Sequence, residues 1–167
     1  PAVRTAWGEE MGLSKEEATE GRMAAALKRI GFDYVFDTNF AADLTIMEEG
    51  SELLKRLSEP EKYRWPMFTS CCPAWVTFIR ENWPEYRANL STAKSPQQMF
   101  GAAVKSYFAK KKGIPAENIC CISVMPCVAK KGEAALPSMK NKDGLPDVDI
   151  VLTTRELVRM IKAEHIN

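Results

Sequence analysis

Thr69-Ser-Cys-Cys-Pro-Ala-Trp75 sets two adjacent thiols, Cys71 and Cys72, where a short apolar strand over 66–69 gives way to a helix starting near Pro73. Proline suits a first helical turn, because its missing N–H would have no intrahelical partner there anyway. The thiols therefore stand at a helix N-terminus, where the macrodipole and free backbone N–H groups favour a thiolate. A thiolate, rather than a thiol, is what binds a metal. A second stretch, Met125-Pro-Cys-Val-Ala-Lys-Lys131, repeats the arrangement, with Cys127 standing 55 positions after Cys72. There an apolar run over 119–124 leads into a proline, a cysteine and two lysines. The pattern predicts a site as well as a fold.

Working outward, the helix after Pro73 carries Trp75, Phe78, Ile79 and Trp83 and stops at Pro84. Ser95-Pro-Gln-Gln98 reads as a capping box with proline at the first helical position. Phe100, Val104, Tyr107 and Phe108 then share a face, and Lys110 to Lys112 with Gly113 close that helix. The continuous apolar run 119–124 is expected of a strand covered on both sides, which makes Cys120 and Cys121 small core residues. Residues 134–147 read as an exposed loop, 149–154 as a last strand, and Thr153-Thr-Arg-Glu156 as the cap of a final helix.

Upstream, residues 1–7 read as a strand end or loop. Ser14 and Glu17 form a capping box for a helix whose inner face is Met23, Ala26, Leu27 and Ile30, ending at Gly31. Residues 33–37 read as a strand. A second helix from about Ala41 turns Leu44, Met47, Leu54 and Leu57 inward and carries Glu48, Glu49 and Glu52 near its middle. Strands alternating with helices give an α/β fold with a mostly parallel sheet flanked by helices. In such sheets ligands bind beyond the carboxyl ends of the strands, where both cysteine motifs fall.

At 167 residues the chain reads as a single domain, or as part of a larger one beginning upstream of Pro1. A net charge of +1, from 23 basic and 22 acidic residues, gives no sign of a nucleic-acid or anionic-membrane partner. No apolar run approaches the roughly 20 residues that span a bilayer. The five cysteines are Cys71, Cys72, Cys120, Cys121 and Cys127, four of them in adjacent pairs. Neighbouring cysteines bridge each other only with strain, so the set fits a reducing cytoplasm and metal or redox work better than a disulfide framework. Taken alone, Cys71 and Cys72 fit a redox thiol pair or half a zinc site, although zinc sites favour Cys-x₂-Cys spacing and these two are adjacent. Glu48, Glu49 and Glu52 alone are most simply a solvated helix face, and Lys130 and Lys131 alone are ordinary surface lysines. His165, the only histidine, lies near the terminus and is expected to be exposed.

Together the two cysteine motifs resemble the catalytic domain of the iron-iron ([FeFe]) hydrogenases. The motif through Met125 to Glu133, Ser95-Pro-Gln-Gln-Met-Phe-Gly101, Ala42-Asp-Leu-Thr-Ile-Met-Glu-Glu49 and Asp149-Ile-Val-Leu-Thr-Thr-Arg-Glu-Leu157 are similar to that family in the same order. The resemblance runs over nearly the whole chain. It implies an oxidoreductase that interconverts protons, electrons and molecular hydrogen at a [4Fe-4S] cluster linked to a di-iron unit with CO, cyanide and a bridging dithiolate.

By the same resemblance, Cys72 and Cys127 match two cluster ligands, and Cys71 matches the thiol that passes protons. Glu49, Glu52 and Ser91 match the relay to solvent, with Arg56 at its outer end. Lys130 matches the donor to a cyanide and pairs with Glu133, while Met125, Gln97, Pro1 and Ala2 surround the di-iron unit. Three positions depart from the commoner pattern: Ala74 for glycine, Val128 for threonine and Ala2 for serine. Two further cluster cysteines are expected in a second lobe following Asn167, in the same or another chain, so residues 1–167 are expected to be inactive alone. The electron partner implied is a ferredoxin or accessory iron–sulfur domains. The alternatives are a non-catalytic hydrogenase-like protein of cytosolic iron–sulfur assembly and a hydrogen sensor. The assembly proteins typically lack the counterparts of Cys71 and Lys130, both present here.

Overall fold

Local capping chemistry sets some of the helix boundaries. The structure, a computed structural model, describes residues 2–166. It opens with α1 (Ala2–Met11), a helix where a strand end or loop was expected, buried through Val3 and Trp7. α2 (Glu20–Ile30) is capped by Thr19, whose hydroxyl accepts the Arg22 N–H at 3.2 Å, and ends at Gly31 with φ 115°. Only glycine takes that left-handed backbone without penalty. Ser14 and Glu17 do bond reciprocally, at 3.0 and 3.3 Å, but they close a separate turn and the helix starts later.

No strand forms over 33–37. The aromatic rings there pack instead on residues of a later helix, Tyr34 on Phe108 at 4.9 Å and Phe36 on Phe100 at 5.6 Å between ring centres. α3 (Asn39–Ser58) follows, with its polar side turned in. Ala41, Thr45 and Arg56 are buried, whereas Met47, Leu54 and Leu57, expected inside, are 67, 69 and 57% exposed. The helix is fixed by main-chain carbonyls that reach its polar face, for instance Leu90 O, which accepts from Arg56 at 3.0 Å. An apolar stripe marks a face; it does not supply a neighbour to cover it.

Residues 66–69 are not a sheet strand either. Phe68 makes one parallel bridge to Leu90, with bonds of 2.8 Å to Asn89 O and 2.7 Å from the Ser91 N–H. α4 (Pro73–Asn82) starts as expected, with Cys72 at its cap and Pro73 in the first turn. α5 (Pro96–Ala103) runs through a π-helical turn at Val104–Phe108 into α6 (Ala109–Lys112). The wider turn parts the expected shared face: Val104 is buried and Tyr107 is 66% exposed. The Ser95 hydroxyl does not cap α5 but donates to Glu133 at 3.0 Å.

β1 (Ile122–Met125), α7 (Ala129–Ala134), β2 (Ile150–Thr153) and α8 (Thr154–Ala163) complete the fold. β1 and β2 pair in parallel, Ile122 opposite Ile150 and Met125 opposite Thr153. β1 is only partly buried throughout, and Cys120 just before it is exposed rather than a core residue, while Cys121 is half-buried. The segment 134–147 ends in Asp147, which is 2% exposed and paired with Lys94. The Thr153–Glu156 capping box forms in full, with bonds of 2.7 and 3.2 Å. A bond from Lys131, then the cap, pushes the Glu156 carboxyl down to about 2. α8 packs Leu157 and Ile161 onto Ala26 and Leu27 of α2. Burying such a leucine completely contributes about 2 kcal/mol. The result is a helix-rich α/β fold around a small parallel sheet.

Candidate functional site

The end of β1 and the start of α4 deliver the two cysteine motifs, and Lys130 on α7 joins them. Its ammonium donates to the Cys71 carbonyl at 2.8 Å, while its backbone N–H donates to the Cys127 carbonyl at 3.2 Å. The ammonium also pairs with Glu133 at 3.0 Å, and these side chains are 12 and 5% exposed. Around Glu133, Oε2 also accepts from Ser95 at 3.0 Å and from the Gln97 amide at 3.4 Å. Gln97 donates to the Lys130 carbonyl at 3.2 Å and accepts from Ser123 of β1 at 2.9 Å. One carboxylate, one ammonium and one amide thus hold α5, β1, α7 and the Cys71 turn together.

The α3 side supplies the carboxylates. Glu49 accepts from the backbone N–H of Ser70, the residue before Cys71, at 3.4 Å. Glu52 is enclosed more fully. One oxygen accepts from Arg56 at 2.6 and 3.0 Å. The other accepts from the Ser91 hydroxyl at 2.7 Å, the Thr92 N–H at 3.0 Å and the Thr92 hydroxyl at 3.3 Å. Burial is the largest single influence and pushes this carboxyl up, but the bonds from Ser91, Arg56 and Thr92 together hold it below the usual glutamate range. Thr92 was missed by sequence reasoning, because nothing local marks a hydroxyl whose partner lies 40 positions away.

Arg56, expected at the solvent end of a relay, is 3% exposed and lies over the Tyr63 ring at 5.4 Å. Glu48 is exposed, as the solvated-face reading has it for that residue.

Ala2, Gln97, Met125 and Pro126 line a cleft of about 870 Å³ that also reaches Cys120 and Cys121. Burial, then Asp149, pushes the Cys121 thiol up to about 11, which leaves it a neutral thiol. Pro1, also expected near the cofactor, lies outside the described residues. Cys71 and Cys72 are exposed and Cys127 is partly so. Among the described residues no three carboxylate, thiol or imidazole groups converge as a metal site. The soft, accessible thiols of Cys72 and Cys127, with an ammonium between the two motifs, fit part of an iron–sulfur ligand set. No helix among the described residues is long and apolar enough to cross a membrane.

The family model of the iron only hydrogenase large subunit, C-terminal domain, matches residues 1–167. The NADP-reducing hydrogenase subunit HndD of Solidesulfovibrio fructosivorans is 54% identical, a match covering 100% of this chain and 29% of that protein. The cytosolic Fe-S cluster assembly factor narfl of Danio rerio is 33% identical, covering 100% of this chain and 41% of its own length. A variant of the apo [FeFe]-hydrogenase HydA1 from Chlamydomonas reinhardtii superposes with a TM-score of 0.93 at 47% identity, over 100% of this chain and 42% of that one. The chain therefore spans less than half the length of each of these relatives. By its match to that family model along its whole length, the chain belongs to the iron-only hydrogenase large subunit, C-terminal domain family.

Proposed function

We propose that the protein containing this chain is an oxidoreductase that interconverts protons, electrons and molecular hydrogen, with this chain as the first lobe of its catalytic domain. The observation that carries the reading is the bond from the Lys130 ammonium, three residues after Cys127, to the Cys71 carbonyl, which brings both cysteine motifs to one place. Cys72 and Cys127 would hold a [4Fe-4S] cluster as thiolates. The linked di-iron unit, with CO, cyanide and a bridging dithiolate, would supply the redox metal for hydrogen chemistry when bound.

The chain's own residues bind, orient and move protons. Lys130 uses two of its three N–H donors on Cys71 O and Glu133, which leaves the third for an anionic ligand such as cyanide. Gln97 fixes the Lys130 backbone, and Met125 and Ala2 shape the space beside the ligand. Cys71 Sγ is the first proton carrier, and Glu49, held against Ser70, is the next. Glu52 and Ser91 continue the route through the hydrogen bonds around Glu52, with Arg56 holding the Glu52 carboxylate in place.

Two thiolates are half of a cubane's ligands, so the chain alone is incompetent and the rest of the ligand set comes from another lobe. Electrons arrive from a ferredoxin or from accessory iron–sulfur domains. The unbridged thiols support a reducing, cytoplasmic setting.

A second reading, a non-catalytic iron–sulfur assembly protein, draws support from the 33% identical assembly factor. Hydrogen evolution from reduced viologen by the matured full-length protein, beside its Cys71→Ala variant, separates the two. Activity in the parent that collapses in the variant supports the enzyme and the proton route. A protein that carries its cubane and evolves no hydrogen is the assembly protein.

A further inference from the structure

The site described above uses Gln97 and Glu133 but leaves unexplained a buried cation farther along the helix that carries Gln97. Lys105 lies in the π turn after α5 with a side chain only 3% exposed. Its ammonium donates to the Pro146 carbonyl at 2.7 Å and to Asp149 Oδ1 at 2.7 Å. The other oxygen of Asp149 accepts the Cys121 N–H at 2.6 Å, and the Asp149 N–H donates back to the Cys121 carbonyl at 2.9 Å. Lys105 thus closes on the point where β1 and β2 begin to pair.

Gln97, Gly101 and Lys105 recur every four positions, so one side of the helix reads along the sheet. Gln97 takes Ser123 of β1, two residues beyond Cys121. Between them, Gly101 lets the Asp147 backbone approach so closely that a β-carbon would stand 2.6 Å from its carbonyl carbon. The hydrogen bonds form a closed circuit: Lys105, Asp149, Cys121, along β1 to Ser123, Gln97, and back down the helix. Burying an ammonium is costly, and an apolar side chain of similar volume often serves stability as well or better. What the ion pair adds is a fixed distance and direction.

We propose that Lys105 is a positioning residue: clamped by Pro146 and Asp149, it fixes the helix against the paired starts of β1 and β2 and thereby holds Gln97 under Lys130. The clamp acts through Gln97 on the Lys130 backbone and on Glu133, and so sets where the ammonium points. Its consequence for catalysis rests on the function proposed above, whereas the clamp itself does not.

The test is amide hydrogen exchange on the metal-free full-length protein, comparing Lys105→Met, Lys105→Arg and Asp149→Asn with the parent. Lys105→Met is expected to speed exchange about tenfold across Cys121 to Lys131 while Leu157 and Ile161 of α8 stay within about twofold. Lys105→Arg, which keeps the cation, restores most of the protection. Asp149→Asn is isosteric and decides the matter should Lys105→Met not fold; it reproduces the confined pattern. Exchange unchanged over Cys121 to Lys131, or raised equally throughout the molecule, overturns the proposal. In matured protein, infrared bands of the bound cyanides shift in Lys105→Met and return in Lys105→Arg. Were the function proposed above wrong, those bands would be absent and the exchange pattern would still stand.

Discussion

Lys130 donates from its ammonium to the carbonyl of Cys71 across 59 positions of sequence, at 2.8 Å, while the same residue caps the turn that carries Cys127. The two thiol motifs are therefore parts of one construction, and removing the lysine side chain frees the Cys71 turn while the backbone bond to Cys127 remains. Lys130→Met leaves Glu133, 5% exposed, without its cation. Breaking a buried pair from one side costs about 3 kcal/mol. Urea unfolding of the metal-free protein should show that loss. Lys130→Met together with Glu133→Gln should recover part of it, because the uncompensated charge is gone.

The Glu52 carboxyl is held low in the folded state, so the stability it provides is complete above the usual glutamate range and is lost as pH falls through the lowered value. Between about pH 6 and about pH 3, the parent should therefore lose more stability than Glu52→Gln, which has no such proton to take up. Equal slopes of unfolding free energy against pH would remove Glu52 from the account. Proton delivery in the matured protein should fall in the same variant, read as a lower rate of hydrogen evolution at saturating donor.

Gly101→Ala places a methyl group against the Asp147 carbonyl, a backbone atom that cannot swing away. Overpacking of this kind costs about 2 kcal/mol. The accompanying signature is local: the Gln97–Ser123 bond lengthens as the helix is pushed off the sheet, and exchange of the Ser123 amide rises. A fully tolerated alanine would show that the helix and the segment before β2 can part without consequence.

Local chemistry was the part of the fold most easily read in advance. Thr153 and Glu156, Gly31, and Pro73 after Cys72 each act within one helical turn, and each ends or starts a helix as its residue type dictates. Ser14 and Glu17 show the limit, since the box forms with its bonds intact and the helix still begins at Glu20. Ser95 shows another, because Glu133, 38 positions away, takes the hydroxyl that a cap would have used. Strand character over 33–37 and 66–69 was legible as apolar pattern, but a strand needs a neighbour, and sequence pattern does not name one. The same holds for the leucines of α3.

In the candidate site, the thiols, the lysine and the carboxylates were visible because motif spacing and family resemblance mark them. The pairing of Lys130 with Glu133 was anticipated and is present at 3.0 Å. Thr92 and Lys105 were not marked, and Asp149 stood only at the head of a family-like stretch with no role, since each works through a contact 28 to 44 positions away. The polar rather than apolar inner face of α3 belongs with these. It follows from where residues 88–92 pass, not from the periodicity of the helix.

In the function proposed above, Cys72 and Cys127 are ligands of one metal cluster and Cys71 is not. That assignment is tested most directly by iron and sulfide analysis with low-temperature electron paramagnetic resonance on the reduced full-length protein and its single-cysteine variants. Cys72→Ala and Cys127→Ala should each abolish the cluster signal, while Cys71→Ala and Cys120→Ala should retain it. A cluster that survives both Cys72→Ala and Cys127→Ala, or one that disappears in Cys120→Ala, contradicts that assignment.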